Sequence, residues 1–217
     1  MKQRISVVVT DLDNTLFDWV GIWHKSFTAM VAQLVTESGI SEDVLLSEFK
    51  KIHEKHRTSE YAFSIQELPS LQKQFPRQNL VERFKGAVDA YRAARKTALC
   101  LYSDVAESLE KLKDKGCLLI GYTESMSFYS HYRVLNLGLD RIIDYLYSPP
   151  DHGLPKDMTT AGIRSHPEES YKLRRAVNQH VRKGEGKPDP AVLLDIMRSV
   201  GACTSEAIYI GDSVTGR

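Results

Sequence analysis

From Ile5 to Val9 the chain is apolar without alternation, the pattern of a strand covered on both faces, and such strands belong to parallel sheets flanked by helices. Two carboxylates follow at once, Asp11 and Asp13 in "VVVTDLDNTLFDW". An ionised side chain taken out of water without a partner is costly, so something must reward them. In open α/β sheets ligands bind at the carboxyl ends of the strands. Residues i and i+2 of an extended segment share a side, so strand geometry carried as far as Asp13 points both carboxylates at one small volume, where two like charges call for a cation. The competing reading is a solvated turn, which Asp13-Asn14 would suit.

From about Trp19 to Ala98 the pattern is helical throughout. Phe27, Met30, Val31, Leu34 and Val35 form one stripe, "ISEDVLLSEFKKIHEKH" opens with Ser41 as an N-cap, and Leu80, Val81, Phe84, Val88 and Tyr91 keep the period in "NLVERFKGAVDAYRAARK". After this block helices and strands alternate. "DVAESLEKLKDKG" reads as a helix capped by Asp104 with Glu107 three residues on and stopped by Gly116. The strand "CLLIGYTES" follows, then a helix through "SMSFYSHYRVLNLG" and a weaker strand at Ile142–Ser148. Asp189 and Pro190 open a helix over "PDPAVLLDIMRSVG", with Val192, Leu193, Ile196, Met197 and Val200 on one stripe and Gly201 at its end. "AIYIGDS" is a last strand running into another acid. Alternating elements of this kind predict parallel β-α units, and no internal repeat or low-complexity segment interrupts them.

Composition narrows the partners. With 217 residues and a net charge of +1, no global field favours nucleic acid or an anionic membrane. No stretch is long enough to span a bilayer, and the apolar run near the start is too short for a signal peptide. Three cysteines (Cys100, Cys117, Cys203), odd in number and without metal-ligand spacing, read as reduced thiols serving as small core hydrophobes in a cytoplasmic protein.

Polar groups recur at the predicted strand ends: Asp11 and Asp13 after the first, Thr123 after the second, Asp212 after the last. Lys187 sits in the glycine-rich loop "GEGKPDP" before a capped helix. In a parallel sheet these ends line one edge. The order DxDxT (Asp11 to Thr15), a strand-terminal Thr (Thr123), a Lys (Lys187) and a GD-type strand end (Asp212) resembles the haloacid dehalogenase superfamily over nearly the whole chain. The resemblance implies a Rossmann-like α/β core over 1–18 and 99–217 and an inserted all-helical cap of type C1 over 19–98. It implies Asp11 as nucleophile and Asp13 as the acid that protonates the leaving alcohol and then activates water. Lys187 would neutralise the transferring group, Thr123 and Glu124 would join it in binding phosphate, and Asp11, the Asp13 carbonyl and Asp212 would hold Mg²⁺. Because the family's dehalogenases lack an acid at the position of Asp13, and its ion-pumping ATPases carry Thr there, the implied reaction is hydrolysis of a phosphate monoester.

The chain departs from the family pattern in two places. Motif four usually continues to a second acid, whereas "GDSVTGR" offers Gly216 and Arg217. The expectation is a family core that extends past Arg217, and weak Mg²⁺ binding without that acid. The stretch between Thr123 and Lys187 is long and basic over 164–183, either a solvated helix and loop or a flap toward an anionic substrate or partner. The substrate is expected to be a small phosphorylated metabolite, of the sugar phosphate or nucleotide class. A phosphomutase of the same fold and a catalytically weak phosphate-binding regulator are the alternatives.

Overall fold

Val7, Val8 and Val9 are each at most 3% exposed. β-branched side chains suit a strand covered on both faces, and burying each valine contributes about 1.5–3 kcal/mol. They begin β1 (Val7–Thr10). The computed structural model describes residues 4–151, 164, 166–182 and 184–213. Its described residues fall into two compact units, one of 4–19, 99–151, 166–182 and 184–213, the other of 20–98 with Arg164.

The second unit is helical: α1 (Trp19–Ser38, whose first residue belongs to the other unit), α2 (Glu42–His56), α3 (Pro69–Gln74), α4 (Leu80–Arg83) and α5 (Lys85–Ala98). Its core takes Met30, Val31 and Leu34 from α1, Leu45, Phe49 and Ile52 from α2, and Leu80 and Phe84, with Phe27, Val35, Val88 and Tyr91 packed against them. Trp23 stacks on Phe27 at 4.9 Å between ring centroids. Glu67 gathers a polar network, accepting from Lys55 at 2.7 Å and Tyr61 at 2.9 Å, with the His56 ring nitrogen at 3.0 Å.

Two local details refine the expectations. Ser41 occupies the N-cap of α2, as expected, without a side-chain cap bond. The helical stretch of residues 79–96 is divided into α4 and α5 at Phe84 (φ −99°, ψ 37°), whose side chain enters the core.

The first unit continues with α6 (Val105–Asp114), β2 (Leu118–Tyr122), α7 (Ser127–Asn136), β3 (Tyr145–Ser148), β4 (Val177–His180), α8 (Pro190–Ser199) and β5 (Ala207–Ile210). The strands form one parallel sheet in the order β4-β3-β2-β1-β5, with Val7 opposite both Leu118 and Ala207. The architecture is Rossmann-like α/β. Succession runs outward from β1 to β4 and then returns to the other side of β1, so the strand order reverses beside β1. That reversal opens the crevice in which doubly wound sheets bind ligands, and Asp11 lies directly beyond it. Asp189 caps α8 by accepting from the Ala191 N–H at 2.8 Å, and Val192, Ile196 and Met197 enter the core with Val7, Val9, Ile120 and Tyr122.

Three further expectations are corrected. Asp104 takes a left-handed conformation (φ 64°) and makes no side-chain cap bond, since that backbone turns its carboxylate away from the first-turn N–H groups. Glu107 pairs with Lys111 instead. Within the basic stretch the chain forms β4, with Val177, Gln179 and His180 exposed, so an edge strand held by its backbone left no apolar pattern to read. Residues 165 and 183 of that stretch lie outside the described residues. Of the cysteines only Cys117 is buried, and Cys100 and Cys203 are exposed. Among the described residues no helix is long and apolar enough to cross a membrane.

Candidate active site

β1 ends at Thr10, and the Asp11 N–H donates to the Ile210 carbonyl of β5 at 2.8 Å. Asp11 is 8% exposed. Its Oδ1 accepts from the Leu12 N–H at 2.7 Å and from Lys187 Nζ at 2.5 Å, while its Oδ2 accepts no hydrogen bond among the described residues. Burial raises the Asp11 carboxyl above its ordinary value; Lys187 and the Leu12 N–H oppose that, and the nearby charge of Asp13 adds to it.

Strand geometry does not persist to Asp13. The chain makes one tight helical turn, with the Leu16 N–H donating to the Leu12 carbonyl at 2.8 Å and Asn14 in the left-handed region at φ 57°, which asparagine tolerates. The two carboxylates consequently meet different cations. Asp13 Oδ1 accepts from Arg133 Nη1 at 3.0 Å, and its Oδ2 accepts from Ser125 Oγ at 2.6 Å and Thr123 Oγ1 at 3.1 Å. Lys187 meets one carboxylate and Arg133 the other.

Thr123 follows β2, is 1% exposed, and is pinned by its N–H to the Tyr147 carbonyl at 3.0 Å. Glu124 holds the loop that carries Lys187, its Oε1 accepting the Lys187 N–H at 3.2 Å. A Cβ on Gly186 would lie 2.9 Å from the same oxygen, so a larger residue there would displace the Glu124 carboxylate. The Lys187 ammonium sits 5.0 Å from the Tyr122 ring centroid and 5.9 Å from that of Tyr209, a cation between two aromatic faces. Burial pushes the Tyr122 phenol up to about 12.

The structure thus joins Asp11 with Lys187, Lys187 with Glu124, and Asp13 with Thr123. Asp212 stands exposed beyond β5; burial raises the neighbouring Tyr209 phenol, with the charges of Asp11 and Asp212 adding to that and Lys187 opposing it. Among the described residues no three acidic, histidine or cysteine side chains cluster as a ready-made metal cage. Mg²⁺ commonly takes only one or two carboxylates and completes its shell with water and substrate phosphate, so the hard oxygens of Asp11 and Asp212 fit that ion in kind. Residues 214–217, where a second motif-four acid was sought, lie outside the described residues.

Ser125 and Arg133 were missed in the sequence. An arginine in an amphipathic helix usually reads as solvated. The signal was its phase, since Ser130, Arg133 and Val134 of α7 all face inward, which places a charge on a buried stripe.

A family model described as haloacid dehalogenase-like hydrolase matches residues 5–216. Among solved structures the chain is similar to a provisionally named beta-phosphoglucomutase from Thermotoga maritima, 18% identical with a TM-score of 0.58 over 98% of this chain and 78% of that one. It is also similar to 2-haloacid dehalogenase from Pseudomonas syringae pv. Tomato DC3000, 18% identical with a TM-score of 0.55 over 98% and 80% of the two chains. A third is the provisionally named HAD-hydrolase YfnB from Bacillus subtilis bound to magnesium, 13% identical with a TM-score of 0.52 over 98% and 82%. At these identities the likeness is one of fold. No curated protein gives a significant match to the sequence.

Proposed function

The chain belongs to the haloacid dehalogenase-like hydrolases, and from that membership we propose that it is a Mg²⁺-dependent phosphatase acting on a small phosphate monoester through an aspartyl-phosphate on Asp11. The observation that carries the reading is a pair of carboxylates with separate partners: Asp11 on Lys187 at 2.5 Å, and Asp13 two residues on, held by Thr123, Ser125 and Arg133. In this reading one attacks and the other moves a proton.

Asp11 Oδ2 attacks phosphorus, an O–P bond forms, and the ester P–O bond breaks with its electron pair leaving on the alcohol oxygen. Asp13 gives that oxygen a proton. Asp13, now a carboxylate, takes a proton from water, whose oxygen attacks phosphorus and frees Asp11 and inorganic phosphate. Lys187 and the Thr123 hydroxyl offset the charge that collects on the transferring group. Mg²⁺, held by Asp11, the Asp13 main-chain carbonyl and Asp212, would supply the charge that lets a carboxylate approach a phosphate dianion. Departure of an alcohol needs a proton whereas departure of a halide does not, so the acid at Asp13 favours an ester over a haloacid. The helical unit of residues 20–98 is proposed as the cap that selects the substrate, of the sugar phosphate or nucleotide class.

Turnover of p-nitrophenyl phosphate with Mg²⁺ tests this. Asp11→Asn is expected to fall to background with its fold intact, and Asp13→Asn to slow turnover about 10²–10⁴-fold. Halide release from a 2-haloacid with no hydrolysis of any phosphate monoester would refute the proposal.

A further inference from the structure

Arg133 is 4% exposed and lies in the last turn of α7, on its buried stripe beside the fully buried Val134. Its guanidinium stands 5.9 Å from the Phe17 ring centroid. Its Nη1 donates to Asp13 Oδ1 at 3.0 Å and to Ser125 Oγ at 2.8 Å. Burying an arginine costs several kcal/mol even when it is paired, and an apolar residue of similar volume often serves stability as well or better. The position in the helix asks for a hydrophobe, so the reason for the charge lies with its partner.

That partner is held at both oxygens. Oδ2 of Asp13 accepts from Ser125 and Thr123, while Oδ1 accepts from Arg133 and keeps a second lone pair for the proton it transfers, and Ser125 bridges the two halves because it also receives the Arg133 bond. Thr123 and Ser125 come from the loop after β2, and Arg133 comes from the helix that loop leads into. The three donors therefore fix the plane of the Asp13 carboxylate from outside the chain segment that carries it. Asp13 itself sits in the turn after β1, where backbone alone would let its side chain rotate.

The geometry points to Arg133 as a positioning residue for Asp13, acting with Ser125 to hold the carboxylate that transfers the proton; this rests on the phosphatase reading above. Arg133 touches no reacting atom. Its loss leaves Asp11 and Lys187 in place and lets the Asp13 carboxylate wander, so the two proton-transfer events slow while attack by Asp11 on an ester with a good leaving group does not.

Two shape-matched esters separate those steps. The p-nitrophenolate of p-nitrophenyl phosphate departs without a proton, whereas the alcohol of p-nitrobenzyl phosphate needs one. For Arg133→Met, kcat on p-nitrobenzyl phosphate is expected to fall about 10- to 100-fold with KM within about twofold of the parent. On p-nitrophenyl phosphate the rapid first turnover should keep its parental rate, while the steady state slows, giving a burst of nitrophenolate as the acyl-phosphate waits for water. Arg133→Lys should recover part of the loss, and Ser125→Ala should reproduce it more weakly. Equal loss on both esters with the first turnover slowed as well would show a merely structural role and overturn the inference, as would parental kinetics in Arg133→Met. If Arg133→Met does not fold, as read by its thermal melt, Arg133→Lys and Ser125→Ala carry the same comparison. A parent protein that turns over neither ester refutes the phosphatase reading, and the inference with it; an active parent whose variants show no difference between the esters refutes the inference alone.

Discussion

Tyr122 closes β2 with its ring against the Lys187 ammonium and its hydroxyl buried without a hydrogen-bond partner among the described residues. A buried hydroxyl left unpaired costs about 1–3 kcal/mol, so the ring is the useful part of this side chain and the oxygen a burden. Tyr122→Phe should leave urea stability unchanged or raise it by about 1 kcal/mol, and a clear loss would show that the hydroxyl has a partner. At this scale the sequence was informative wherever a polar residue interrupted an apolar strand or sat in a glycine-rich loop. Asp11, Asp13, Thr123 and Lys187 stood out because the positions they occupy are otherwise poor places for such groups. Arg133 and Ser125 did not, because a charge or hydroxyl on a helix is unremarkable until the buried face is known.

β4 shows the corresponding blindness for an element. Three of its four side chains are exposed, and besides its backbone pairing with β3 it is approached through Asp140, which follows α7 and accepts the N–H groups of Arg174 (3.1 Å), Arg175 (3.3 Å) and Ala176 (3.1 Å) just ahead of the strand. One carboxylate thus orders the approach to a whole edge. Asp140→Ala should cost about 1–3 kcal/mol and speed amide hydrogen exchange through Val177–His180 while β1 stays protected; exchange that rises uniformly across the sheet would contradict this local role. β1, β2 and α8 were legible because their side chains carry the reason for their structure, as apolar runs or as the Asp189-Pro190 cap. Asp104 was misread for the opposite cause, since a capping residue acts only if the backbone turns it toward the helix, whereas Ser41 takes the N-cap position with extended backbone and makes no cap bond.

For the molecule as a whole, acid stability concentrates in the helical unit. Burial alone would raise the Glu67 carboxyl, but hydrogen bonds from Lys55, His56 and Tyr61 overcome it and hold the group at about 2 against an ordinary 4.5. Because the folded value lies below the unfolded one, this contribution is complete above about pH 4.5 and is lost as pH falls toward 2. It is worth at most about 3 kcal/mol. Glu67→Gln is expected to flatten the decline of the urea midpoint between pH 5 and pH 2 that the parent shows; a parallel decline would place the acid sensitivity elsewhere. The parallel α/β plan was readable from the alternation of helices and strands, but the strand order was not, because register and neighbourhood belong to side-chain packing across the sheet rather than to any one segment.

The placement of β1 between β2 and β5 also sets a timetable for synthesis. Ser6 and Glu206, 200 residues apart in the chain, share a hydrogen bond across the β1–β5 seam, whereas the helical unit draws its buried core from one continuous stretch between Met30 and Ala87. Chains emerge from the ribosome at about 5–20 residues per second, and non-local strand pairs form later than local contacts. The helical unit can therefore close while β1 still waits for a neighbour. The Ile210 carbonyl that receives the Asp11 N–H is made far later than Asp11 itself. The seat of Asp11 is therefore complete only once β5 has joined β1.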